Sequence, residues 1–236
     1  MPSPEPNVTF AVAALNEERL VDGFVREAHQ QAGRILRDYE FILIDDGSTD
    51  RTGEIMDELA GSLPNTSVIH NPTNIGLGSS YMRGVQSARC DYYMLLCGDG
   101  GLPAESLPAI IEKVGTADMV LPYMTNLKAL KSRGRYIISR SYTFLLNRLF
   151  GLDIRYYNGL PVHRTELVRG LGTISDGFGY QAEIIIKLTR AGFTYTQVAV
   201  LGAERSGGSR ALRTRNIASV TRMITALLMR GFSAGK

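Results

Sequence analysis

The sequence predicts an α/β domain built around a mostly parallel sheet. Three observations carry that prediction. Continuous apolar runs at 8–15 (VTFAVAAL), 41–44 (FILI) and 91–96 (DYYMLL) match strands buried on both faces. Stretches with a helical apolar period lie between them. The runs give way to Asn, Asp, Glu and Gly, residues that suit turns and ligand contact at strand ends. The alternation β-α-β-α-β-α-β fills the first hundred residues, and no internal repeat interrupts it.

The elements follow in order. Residues 1–7 form a short Pro-containing lead. The first strand, 8–15, ends at Asn16-Glu17-Glu18, and a helix is predicted over 17–36 with Val21, Val25, Ala28, Ala32 and Ile35 on one face. The second strand runs into Asp45-Asp46-Gly47-Ser48-Thr49-Asp50, where Gly47 and Ser48 suit a turn. Asp50 is placed to cap a helix striped by Ile55, Leu59 and Leu63. A short third strand, 66–70, leads into the Gly-, Pro- and Asn-rich loop 71–80, and a helix follows over 79–88. The strand at 91–96 ends in Cys97-Gly98-Asp99-Gly100-Gly101. Beyond it, 104–114 reads as a helix and 119–123 as a strand. The basic segment 128–148 reads as an amphipathic helix with Ile137, Ile138, Tyr142, Leu145, Leu146 and Leu149 interleaved. A short apolar helix is predicted at 184–188 and a last one over 216–231.

Length and composition narrow the function. At 236 residues and 44% hydrophobic content, the chain can bury a large core. No signal-peptide pattern and no membrane-length apolar run is present, so the expected location is cytoplasmic, peripheral on a membrane face at most. Cys90 and Cys97 lack ligand spacing and indicate a reducing compartment. Net charge is only +3, yet residues 128–164 hold eight Lys or Arg against one acid, and 205–236 hold seven against none. Those two segments carry +14 together and the remainder carries −11. Such basic segments fit a phosphate or an anionic membrane surface. No nucleic-acid module is recognisable, so nucleic acid is not expected as a partner.

Right-handed crossovers bring three strand ends to one edge of the sheet: Asn16 and Glu17, Asp45 and Asp46, and Asp99. Ligands of open α/β sheets bind at that edge. A nucleotide with a divalent cation suits it, because hard cations take oxygen ligands. Neither GxxxxGK[ST] nor GxGxxG occurs, so no P-loop or dinucleotide fingerprint is present.

Taken together, Leu15-Asn16-Glu17-Glu18, Ile44-Asp45-Asp46-Gly47-Ser48-Thr49-Asp50, Asn74-Ile75-Gly76-Leu77-Gly78 and a strand ending in Asp99 resemble the family-2 glycosyltransferases of the GT-A fold. Further motifs resemble the dolichol-phosphate mannose synthase branch and its bacterial polyprenyl-phosphate relatives. They are Arg135-x-x-x-Ser139-Arg140, Leu149-Phe150-Gly151-Leu152, Asn158-Gly159-Leu160, Tyr180-Gln181-Ala182-Glu183 and Arg205-x-x-Gly208-Ser209-Arg210. The resemblance runs from about residue 8 to about residue 221. It implies one GT-A domain with a nucleotide-sugar half (8–100), an acceptor half (101–212) and a C-terminal basic amphipathic helix (213–236).

The resemblance implies roles residue by residue. Ala13, Asn16, Glu17, Asn74, Gly76, Gly78 and Gly98 would border the nucleotide sugar, with Asp46 on the base and Asp45 supporting it. A carboxylate can accept an N–H of uracil or guanine, so UDP- and GDP-sugars both fit. Asp99 would hold Mg²⁺ or Mn²⁺. The family carries Asp-x-Asp there, and Glu105-x-x-Pro108 fixes the register, so Cys97 replaces the first aspartate with a poor ligand for a hard cation. Arg135, Ser139, Arg140, Arg205 and Arg210 would engage acceptor or donor phosphates, Arg135 and Ser139 reaching one phosphate from one helix face. Glu183 and Asp176 are candidates near the sugar. A hydroxyl acceptor needs such a base, whereas a polyprenyl phosphate is already ionised. Transfer to a polyprenyl phosphate, transfer to a hydroxyl acceptor, and a nucleotide-binding scaffold without turnover therefore all stand at this point. Oligomeric state is open.

Overall fold

The computed structural model describes residues 5–172, 175, 177, 179–203 and 214–229. Strands β1 (Val8–Ala14), β2 (Tyr39–Asp45), β3 (Thr66–His70), β4 (Tyr92–Cys97), β5 (Met119–Met124), β6 (Val162–Arg164) and β7 (Tyr195–Val200) form one sheet in the order β3-β2-β1-β4-β6-β5-β7. β3, β2, β1 and β4 are mutually parallel, and β5 runs parallel to β7. β6 is antiparallel to both β4 and β5 and joins the two groups. It follows that β5 and β7 point the same way as β1, β2 and β4.

All seven residues of β1 are buried. Their period of two divides them between the faces: Val8, Phe10, Val12 and Ala14 join one core cluster, Ala11 and Ala13 the other. Phe41 and Leu43 of β2 split from Ile42 and Ile44 in the same way. Helices α1 (Val21–Ile35), α2 (Thr52–Ser62) and α4 (Leu107–Ile111) cover the first face; α3 (Leu77–Ser87) and α8 (Tyr180–Arg190) cover the second. Two covered faces explain why the strands read as unbroken apolar runs.

Several boundaries move from the sequence expectation. α1 starts at Val21 rather than 17, because Asn16 is left-handed (φ 57°) and the Glu17 carbonyl closes a turn onto Leu20 and Val21. The segment expected as one helix over 104–114 is a 3-10 turn, Ala104–Ser106, followed by α4. The basic segment divides into α5 (Leu127–Leu130) and α6 (Arg133–Phe150), because Lys131 and Ser132 are extended. α6 stops at Gly151, whose φ of 66° suits a glycine C-cap. α8 begins at Tyr180, so Glu183 lies in its first turn rather than ahead of a helix at 184–188. β6, β7 and the short helix α7 (Thr165–Arg169) were not foreseen. His163 of β6 is fully buried, and its Nδ1 lies 3.0 Å from the Tyr81 hydroxyl; burial pushes the imidazole down to about 3, so it is neutral.

The last helix, α9 (Thr214–Met229), turns Met223 and Leu227 into the second core cluster, with Val220 and Ile224 against it. Its inner face is therefore occupied by packing. Among the described residues no helix is long and apolar enough to cross a membrane.

Candidate active site

The C-terminal ends of β1, β2 and β4 meet at one edge. Ala14 pairs with Asp45 and Ala13 with Cys97. The Asp46 amide donates to Ala14 O (2.9 Å), and the Gly98 amide donates to Ala13 O (2.9 Å). A Cβ on Gly98 would stand 2.8 Å from that of Ala14, so only glycine permits this approach. The loops after β1 and β2 are stitched together. The Asn16 amide donates to Ser48 Oγ, Asn16 Oδ1 accepts the Thr49 amide (2.8 Å), and the Glu17 amide donates to Thr52 Oγ1 (2.8 Å). The cap position of α2 falls on Arg51 rather than on Asp50, and Asp50, one residue ahead, accepts from both the amide and the hydroxyl of Thr52 and so braces the first turn.

Asp45 and Asp46 are both buried and do different work. Asp45 Oδ1 accepts the Ser48 amide (2.9 Å), and Oδ2 faces His70 Nδ1 (3.2 Å). Burial opposes its ionisation, but the Ser48 hydrogen bonds and His70 outweigh burial and hold the carboxyl below its ordinary value. His70 Nε2 faces Asp57 (3.1 Å); that hydrogen bond, with the one from Asp45, outweighs desolvation and raises the imidazole. Asp46 Oδ1 accepts from Asn71 Nδ2 (2.8 Å), Ser80 Oγ (2.9 Å) and the Ile75 amide (3.1 Å). One carboxylate oxygen thus anchors the loop that carries Asn74, Gly76 and Gly78.

That loop sits directly on the β2 turn. Gly47 has φ 78°, and a Cβ there would stand 2.5 Å from the Thr73 carbonyl carbon and 2.7 Å from the Asn74 nitrogen. Gly76, at φ 90°, starts α3, and its amide donates to Asn74 Oδ1 (3.1 Å). Glycine is required at both positions by its freedom at positive φ, and at Gly47 by space as well.

Asp99 lies in a tight turn after β4, where its Oδ1 accepts the Gly101 amide (3.0 Å) and Gly100 adopts φ 67°. Among the described residues, no three His, Cys, Asp or Glu side chains converge on a point that could hold a metal ion. One hard oxygen donor with a soft Cys97 beside it fits a divalent cation only when phosphate oxygens and water complete the shell. Mg²⁺ commonly sits in phosphate sites in that way.

The acceptor candidates stand on elements that leave the same sheet edge. β5 leads through Thr125 and Asn126 into α5 and α6. Asn126 and Gly202 exchange two hydrogen bonds (2.8 and 2.9 Å), tying this exit to that of β7. Arg135 and Arg140 are exposed, and Ser139 is half-buried one turn from Arg135. Lys131 donates to Ser139 Oγ (3.1 Å) and to the Tyr156 hydroxyl (3.4 Å). α6 buries only Thr143 and Leu146. Ile137 is 56% exposed and Phe144 73%, and Ile138, Leu145 and Leu149 are exposed as well. This reverses the core-facing alternative for the helix.

Glu183 is buried with both oxygens engaged. Oε1 pairs with Lys187 Nζ (2.6 Å), and Oε2 accepts the Ser175 amide (2.9 Å) and hydroxyl. Burial opposes ionisation, yet Lys187 and Ser175 prevail and hold the carboxyl below its ordinary value. Two further motifs support the framework. A Cβ on Gly159 would overlap the Pro122 carbonyl, and Leu160, left-handed at φ 58°, donates its amide to Gln181 Oε1 (3.1 Å). Asp176, Arg205 and Arg210 lie outside the described residues. The chain reaches the Asp99 turn at Ala203, whose amide donates to Gly101 O (3.3 Å).

Sequence reasoning missed Asn71, Ser80, His70 and Lys131. Each acts across a separation of eight to 34 residues, for which local pattern gives no signal.

Residues 9–164 match the family model "Glycosyl transferase family 2". The undecaprenyl-phosphate mannosyltransferase of Micrococcus luteus is 27% identical over 183 residues, covering 72% of this chain and 74% of that protein. The dolichol-phosphate mannosyltransferase of Pyrococcus furiosus is 29% identical over 157 residues, covering 63% of this chain and 44% of that protein. The undecaprenyl-phosphate 4-deoxy-4-formamido-L-arabinose transferase of Pectobacterium carotovorum is 29% identical over 169 residues, 51% of its length. The chain thus spans about half the length of the latter two. Among solved structures, glucosyl-3-phosphoglycerate synthase from Mycobacterium tuberculosis, in complex with Mn²⁺, UDP-glucose and phosphoglyceric acid, superposes with a TM-score of 0.71 at 18% identity. That match covers 93% of this chain and 80% of that one, and it concerns the fold.

Proposed function

We propose, on the premise that this chain belongs to glycosyl transferase family 2, that it moves a sugar from a nucleotide diphosphate sugar to a polyprenyl phosphate at a membrane face. The fold is the GT-A arrangement, and the activity class is glycosyl transfer. The observation that carries the acceptor assignment is α6. It leaves the sheet edge that gathers Asp45, Asp46 and Asp99, and it exposes Ile137, Ile138, Phe144, Leu145 and Leu149 among arginines. An apolar face flanked by cations suits a lipid with an anionic head at an anionic surface. The names of the mannosyltransferase relatives support the same acceptor.

In this reading Asp46 takes the base, supported by Asp45, and the loop anchored on Asp46 covers the nucleotide. Arg135 and Ser139, the latter poised by Lys131, hold the acceptor phosphate. That phosphate is already a nucleophile, so no base is required. Glu183 accordingly serves as a brace for α8 and residue 175, its oxygens committed to Lys187 and Ser175. Asp99 would hold Mg²⁺ or Mn²⁺, which when bound offsets the charge that grows on the departing diphosphate. In-line attack inverts the anomeric carbon.

The test is a turnover screen of several UDP- and GDP-sugars with Mg²⁺ or Mn²⁺, offered a short polyprenyl phosphate or saccharide hydroxyls. Product is expected with the prenyl phosphate alone. Product with hydroxyl acceptors alone would overturn the acceptor assignment.

A further inference from the structure

We infer that the donor is a uridine diphosphate sugar, selected because Asp46 has one oxygen left with which to read the base. This rests on the proposed reading that the base meets Asp46, and it adds which base that is. Asp46 Oδ1 accepts three hydrogen bonds, from Asn71 Nδ2, Ser80 Oγ and the Ile75 amide. A carboxylate oxygen offers about two lone-pair directions, so Oδ1 is saturated. The arrangement is held from outside. The Arg83 guanidinium, which can only donate, donates to Asn71 Oδ1, so the Asn71 amide must turn its NH₂ group toward Asp46 and Ser80. Asn71 is 3% exposed and Ser80 fully buried, so neither gives way to solvent. The loop lies close against Gly47, where a Cβ would stand 2.5 Å from the Thr73 carbonyl carbon.

Only Oδ2 therefore remains to accept from a base. Guanine presents N1–H and N2–H side by side, a pair matched to both oxygens of one carboxylate, and here one of the two is taken. Uracil presents the single imide N3–H, matched to one oxygen. Cytosine and adenine turn a ring-nitrogen lone pair toward the same anion, which repels them.

Binding to the whole chain, measured calorimetrically with UDP, GDP, CDP and ADP in the presence of Mg²⁺, decides the matter without turnover. UDP is expected to bind about tenfold or more tightly than each of the others, the ratio for one well-made or unmade hydrogen bond to a charged group. GDP binding as tightly as UDP would overturn the uridine assignment and leave the transferase reading standing. CDP or ADP equal to UDP would show that the imide is not read. Failure of all four to bind would sink the nucleotide-sugar reading itself. In Asp46→Asn the amide NH₂ takes the outer position, while its oxygen keeps the three loop donors. The UDP-to-CDP ratio is then expected to fall to about one or invert. An unchanged ratio in the folded variant would remove Asp46 from base recognition. The wild-type comparison decides between the bases if the variant does not fold.

Discussion

The sheet edge that gathers Asp45, Asp46 and Asp99 and the helix α6 solve opposite problems. At the edge, carboxylates are buried, each oxygen of Asp45 and Oδ1 of Asp46 has a donor, and glycines admit backbone where no side chain fits. On α6 the chemistry is exposed: arginines point outward, and five large apolar side chains are left uncovered. On the proposed reading, the difference teaches that recognition of a small rigid ligand is built into the core, while recognition of an extended one is left to a surface. Substitutions at the edge should therefore cost fold and binding together, and substitutions on α6 should cost function alone.

Gly47→Ala gives the largest expected effect. A Cβ there meets the backbone of residues 73 and 74 at a positive φ, so about 2–4 kcal/mol of unfolding free energy should be lost, with nucleotide binding. A denaturation midpoint equal to wild type would show that the two loops are not locked. Glu183→Gln should cost about 2 kcal/mol by leaving Lys187 half-buried without its carboxylate. The pH dependence follows from the lowered carboxyl. Its contribution is complete above the ordinary glutamate value of 4.5 and fades as pH falls through the lower folded value. Melting curves of the two proteins should therefore converge in acid; a gap that persists there would mean that shape rather than charge is responsible.

Arg135→Ala should lower kcat/KM for the prenyl phosphate by about 10- to 100-fold while nucleotide affinity is kept. Equal loss of both would place Arg135 at the donor instead. Phe144→Ser should leave stability within about 0.5 kcal/mol and weaken partition onto anionic vesicles about tenfold. Undiminished vesicle binding would detach this face from the membrane. Gly134→Ala, on the helical backbone of α6 with nothing within 4 Å, should stabilise by up to about 1 kcal/mol. The same glycine-to-alanine change would thus have opposite signs in the two regions.

The sheet edge was legible because strands buried on both faces announce themselves as apolar runs and their ends as Asn16, Asp45, Asp46 and Asp99. The second half was less so. β6 is three residues long, too short to show a period, and a buried histidine stands in its middle. β7 is half-buried and polar enough to read as loop. The break at Lys131 and Ser132 carries no glycine or proline to announce it. Ser139 was found by motif, whereas Lys131, which positions it, was invisible until the chain was folded. Asp46 was placed at the base by resemblance, but that one of its oxygens is already taken depends on Asn71 and Ser80, 25 and 34 residues away.

A chimaera between relatives that keeps α6 with the sheet edge it leaves would best be spliced at β6. Among the described residues this strand bridges the parallel groups, through three residues paired with β4 and two with β5, and the family match ends at its last residue, Arg164. The splice would have to carry one pairing across it: Tyr81, from before the cut, supplies the hydroxyl that meets His163 and packs its ring on Tyr180. Those three side chains are the compatibility code for any such hybrid, and an N-terminal piece lacking the tyrosine would leave the buried imidazole without its hydroxyl partner.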